Sequence, residues 1–147
     1  MYGEESEARL LPKRRGDMGS DKKTILIIDD MATILEHAKQ ILKDSYRIIP
    51  CTNGQQGLEI FDKMKPDLVL VDINMPDMDG FQVLSEIRSR SEGRKVPVIM
   101  MTTGLTNEIE SEGFRAGVDD FLIKPFSQPA VLKRVSMQLE SRPVEED

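Results

Sequence analysis

The stretch Leu68-Val-Leu-Val-Asp-Ile-Asn-Met-Pro-Asp-Met-Asp-Gly80 decides the fold. Its first four residues are apolar without alternation and run into Asp72, and its second half is dense in turn formers. A short apolar run bounded by turn signals reads as a strand buried on both faces, the kind found in parallel sheets covered by helices. Three further runs behave alike. Ile25–Ile28 leads into Asp29 and Asp30, Val98–Met101 into Thr102 and Thr103, and Phe121–Ile123 into Lys124 and Pro125. Ligands of open α/β sheets bind beyond the carboxyl ends of the strands, so three acids, two hydroxyls and a lysine are expected to meet at one edge.

Working outward, strand and helix signals alternate five times, which predicts a doubly wound parallel α/β sheet with helices on both faces. Helix 1 follows Asp30, with Ile34, Leu35, Ala38, Ile41 and Leu42 on one face. Asn53 and Gln56 form a capping pair for helix 2, whose inward side carries Leu58, Phe61 and Met64. Asp79 and Gly80 open helix 3, which buries Val83, Leu84 and Ile87. Helix 4, about Asn107 to Arg115, is the weak member: it offers only Leu105 and Ile109 to the core and contains Gly113. Ser127 caps helix 5, where Val131, Leu132, Val135 and Leu139 recur at helical spacing and Pro129 fits the first turn.

The 147 residues suit one domain. Its expected limits are residues 22–140, between a flexible tail at 1–21, mixed in charge and containing Lys13, Arg14 and Arg15, and an acidic tail at 141–147. A net charge of −6 argues against unspecific nucleic-acid binding, and there is no membrane-length apolar stretch or secretory signal. One cysteine, Cys51, excludes an internal disulfide and reads as a buried thiol in a reducing cytoplasm. His37, Asp119, Asp120 and the basic stretch Arg88, Arg90, Arg94 and Lys95 read as surface or turn residues.

Asp29, Asp30 and Asp72 brought together repel one another unless protonated or bound to a cation. A hard divalent ion such as magnesium, with oxygen ligands and open positions for a reacting group, answers this. Asp72, alone at its strand end, is the candidate nucleophile for a phosphoryl group. Lys124 supplies a second positive charge, Thr102 a hydroxyl, and the backbone amides near Thr103 and Asn74 further donors.

These motifs together, Asp29-Asp30, Val69 to Gly80, Val98 to Thr103 and Lys124-Pro125-Phe126, resemble the receiver domain of two-component response regulators, particularly stand-alone chemotaxis-type receivers, over Lys23 to Glu140. The resemblance implies a flavodoxin-like strand order 2-1-3-4-5 and phosphorylation of Asp72 by a histidine kinase or phosphotransfer protein. It implies Mg2+, replaceable by Mn2+, on Asp30, Asp72 and the Asn74 backbone carbonyl, with Asp29 acting largely through water. Thr102 and Lys124 then contact the phosphoryl group, with Asn74 and Thr103 as its backbone contacts. Phe121 stands at the aromatic switch position that rotates inward as Thr102 moves. The output surface is helix 4, strand 5 and helix 5, presented to an unidentified downstream protein by a monomer or a phosphorylation-dependent dimer. The sequence ends soon after helix 5, so no output domain is expected unless the chain is a fragment of a longer regulator, and the expectation is a signalling module that catalyses only its own phosphorylation and dephosphorylation. A magnesium-dependent phosphohydrolase working through an aspartyl phosphate is the competing reading. It asks for a second acid where Asn74 stands and for a cap that no insertion is long enough to form.

Overall fold

The computed structural model describes residues 22–140; the expected tails at 1–21 and 141–147 lie outside the described residues. Five strands form one parallel sheet: β1 Thr24–Ile28, β2 Arg47–Cys51, β3 Leu68–Asp72, β4 Val98–Thr102 and β5 Asp120–Ile123, in the order β2-β1-β3-β4-β5. The three inner strands are buried at every residue, which is why they read as unbroken apolar runs. Pro50, which has no N–H to donate, stands in the edge strand β2.

Alternate residues feed two cores. Leu26, Ile28, Val69 and Val71 face α2 (Gly54–Met64), α3 (Gly80–Ser89) and α4 (Asn107–Ala116), while Ile25, Ile27, Leu68 and Leu70 face α1 (Ala32–Leu42) and α5 (Gln128–Glu140). The helix starts follow their expected chemistry. The Asn53 side chain accepts from the Gln56 amide, Asp79 and Gln82 form a reciprocal capping box, and Ser127 Oγ accepts from the Ala130 amide at 3.3 Å. Thr106, absent from the sequence reading, caps α4.

Three expectations change. Met64 is exposed, because α2 ends there and Lys65 turns into the left-handed region at φ 47°. Asp119 and Asp120 are not free turn acids. Asp120 pairs with Arg134, and Asp119 Oδ2 accepts from the Val98 amide and from Arg88. In the basic stretch, Arg90 pairs with Asp62 and Glu86, and Arg88 turns inward. The Arg88 guanidinium donates to the carbonyls of Gly93, Val96 and Gly117 as well as to Asp119. It thereby ties the end of α3 to the approach to β4 and to the turn after α4.

Cys51 is buried and donates to the Asn53 carbonyl, and burial pushes its thiol pKa up. The Tyr46 hydroxyl donates to Glu140, and burial followed by that carboxylate pushes the phenol up to about 12.

Arg88→Lys keeps the charge but cannot reproduce the five-donor fork. We expect it to lower the free energy of unfolding by about 2–4 kcal/mol in urea titration, the scale of a few charge-assisted hydrogen bonds. A loss no larger than that of an exposed pair, under ~1 kcal/mol, would contradict the clamp.

Candidate functional site

The parallel register builds the site. Ile28 pairs with Val71, so Asp29 and Asp72 follow side by side at the carboxyl ends of β1 and β3. Asp30 completes a group whose carboxylate oxygens lie within 4.8 Å of one another, two buried acids and one exposed. Lys124 reaches them from the end of β5, just before the cis Lys124–Pro125 bond, and its Nζ stands 2.8 Å from Asp29 Oδ2 and 3.0 Å from Asp72 Oδ1. The pairing is desolvated, since Asp29 is fully buried and Lys124 nearly so.

Neighbouring backbone holds these side chains. Asp29 Oδ1 accepts from the Met31 amide, which fixes the carboxylate and the entry to α1 together. Asp72 interacts with the Asn74 backbone amide. Gly80 permits the turn after β3 to fold back, its amide donating to the Ile73 carbonyl. A Cβ at Gly80 would stand 2.7 Å from the Asp72 carbonyl oxygen, so the approach requires glycine.

One cation does not balance three acids. Burial holds the Asp72 carboxyl above its ordinary range, Lys124 pulls it down, and Asp29 pushes it up again. Burial works against the charge on Lys124, but Asp29 and Asp72 outweigh it and hold that pKa above the usual value. Asp29 Oδ2 is ion-paired with the ammonium at 2.8 Å and has no other partner. An all-oxygen donor set with a surplus of negative charge suits a hard divalent cation.

The other predicted residues sit around this group. Thr102 is buried, and its hydroxyl is engaged with the next loop, accepting from the Gly104 amide and donating to the Gly104 carbonyl, both at 3.2 Å. Asn74 and Thr103 are exposed beside the strand ends. Phe121 is turned inward, 5% exposed, with its ring against α4. His37 is exposed and stacks on Phe126, the ring centroids 5.3 Å apart.

Residues 25–136 match the family model of the response regulator receiver domain. The chain belongs to the response regulator receiver family. The receiver is 37% identical over 119 residues to a probable cyclic di-GMP phosphodiesterase of Vibrio cholerae, a match covering 81% of this chain and 27% of that protein. It is also 37% identical over 123 residues to the probable transcriptional regulator ycf27 of Porphyra purpurea, covering 80% of this chain and 48% of that one. The receiver thus spans less than half of either relative's length. Among solved structures it resembles chemotaxis protein CheY4 of Vibrio cholerae, with a TM-score of 0.78 and 29% identity over 80% of this chain and 99% of that one. The fold and the receiver assignment both stand as expected. No described helix of the receiver is long and apolar enough to cross a membrane.

The raised Asp72 pKa has a sign. A carboxyl that is harder to ionise in the folded chain subtracts from stability as pH rises through its unfolded value, and the penalty is complete above the folded value. Asp72→Asn, in chelator and without divalent ions, is therefore expected to raise the urea midpoint at pH 7 and to lose this advantage below the ordinary aspartate range near 3.8. Equal midpoints at both pH values would contradict the pocket electrostatics.

Proposed function

We propose that Asp72 accepts a phosphoryl group from a histidine kinase or phosphotransfer protein, and that the receiver reports this through α4, β5 and α5. The observation that carries the reading is the pairing of Lys124 with both Asp29 and Asp72 at the carboxyl edge of the sheet. A carboxylate oxygen of Asp72 forms the bond to phosphorus as the bond to the donor imidazole breaks, and the imidazole nitrogen keeps the electron pair. Lys124 is placed to meet negative charge on the transferred oxygens.

Asp29, Asp30, Asp72 and the Asn74 carbonyl are the proposed holders of Mg2+, with Mn2+ as a substitute of similar oxygen preference. When bound, such an ion neutralises phosphoryl oxygens. Thr102 and Thr103 are the proposed hydroxyl and backbone donors to the group, with the Asn74 amide beside them. Engagement of Thr102 by phosphoryl oxygen competes with its present bonds to Gly104, which links the site to the loop before α4.

The proposed output face carries half-exposed Phe114 on α4 and Ile123 on β5. Apolar side chains left in water at an edge strand are the usual means of engaging a protein partner. We place the receiver in the cytoplasm, as a monomer or a phosphorylation-dependent dimer.

Acetyl phosphate with Mg2+ should add one phosphoryl group to the full chain in intact mass spectrometry, and Asp72→Asn should abolish it. An adduct that persists in the variant would move the acceptor elsewhere.

Gly104 concerns lifetime. A Cβ there would meet nothing within 4 Å, so a larger residue can begin without rebuilding the loop, and a glutamate there is proposed to assist attacking water. The wild type is expected to hold its phosphoryl group long, and Gly104→Glu to shorten the lifetime on the order of ten- to a hundredfold. Matching decay rates would remove Gly104 from the account.

A further inference from the structure

Phe121 occupies the space that a side chain at residue 113 would fill. An ideal Cβ on Gly113 would lie 2.5 Å from Phe121 Cζ and 3.1 Å from Val118 Cγ1. Gly113 is the buried residue of α4, set in the helix interior, where glycine is a poor helix former and alanine the best. The adjacent Phe114 meets the same ring edge to face, with centroids 5.5 Å apart and planes at 86°, while staying half exposed. The Phe121 ring is thus received by a missing side chain and steadied by an aromatic neighbour, both supplied by α4.

We propose that Gly113 is a seat for Phe121, a positioning residue that holds the ring inward and so sets how readily the receiver enters the phosphorylated arrangement. This rests on the reading of Phe121 as the switch ring whose inward position, already present here, goes with the phosphorylated arrangement. Val118 can give way by a few tenths of an ångström, but the contact with Cζ is too close for that. The cheaper response to an alanine is rotation of the ring about its own side-chain bonds, toward the edge where Ile123, two residues on and on the same face of β5, already stands in water. Alanine at 113 therefore acts in two opposed ways. It favours the helix and evicts the ring, and the sign of its effect on stability depends on whether Phe121 is present.

The test uses the full chain with fluorinated phenylalanine, the Phe121 resonance being assigned by its loss in Phe121→Leu. In Gly113→Ala the Phe121 fluorine signal should move to a solvent-exposed position without any phosphoryl mimic. The same change should lower the urea midpoint in the wild-type background and raise it in Phe121→Ala. Beryllofluoride with Mg2+, binding at Asp72 as a phosphoryl mimic, should bind Gly113→Ala about tenfold more weakly, a coupling of ordinary allosteric size.

An unmoved Phe121 signal, with a midpoint raised in both backgrounds, would overturn the seat and leave Gly113 a merely suboptimal helix residue. A moved signal with unchanged beryllofluoride affinity would instead overturn the link between ring and phosphorylation, since the ring would then turn without consequence for Asp72.

Discussion

The ammonium of Lys124 between the carboxylates of Asp29 and Asp72 is the interaction on which the site depends. Buried carboxylates on adjacent strands would otherwise repel each other where water screens little. The lysine relieves that repulsion only partly, since Asp30 adds a third negative charge at the mouth. A pocket short of positive charge can hold the domain together at rest and still favour the arrival of more cation.

The parallel topology makes this arrangement inexpensive in sequence. Four of the five strands, β2 excepted, contribute their last residue or the one just beyond it, and the register of β1 on β3 sets Asp29 beside Asp72 without an intervening loop. For this reason the acids and the lysine are legible from the chain: each ends an apolar run, and the run reveals both the strand and its direction. The capping residues Asn53 and Asp79 are legible for a similar reason, because a cap acts three residues away. Arg88 and Asp119 lie 31 residues apart, and no period in the sequence joins them. The half-buried Asp119 is also held by a main-chain amide at the start of β4, which no side-chain pattern announces. Met64 misleads because its spacing is correct but the helix stops beneath it.

Between the pocket and the exposed face, α4 is fastened lightly at one end and firmly at the other. Its first turn hangs from the loop that holds Thr102 and Gly104, with Leu105 and Ile109 only half covered. Its far end runs into Gly117, whose carbonyl receives two donors from Arg88. The few buried apolar contacts of its first turn mark the lower local stability of that end.

The Arg88 clamp has a consequence for how such a chain can diversify. Four of its five bonds are made to main-chain carbonyl oxygens, which every residue type supplies equally. The residues that carry those carbonyls are nonetheless constrained, since a Cβ on Gly93 would strike the Ile87 carbonyl, Gly117 stands at φ 103°, and Val96 is buried in the core. Only their exposed neighbours, such as Arg94 and Ala116, are left free to vary without disturbing these main-chain bonds.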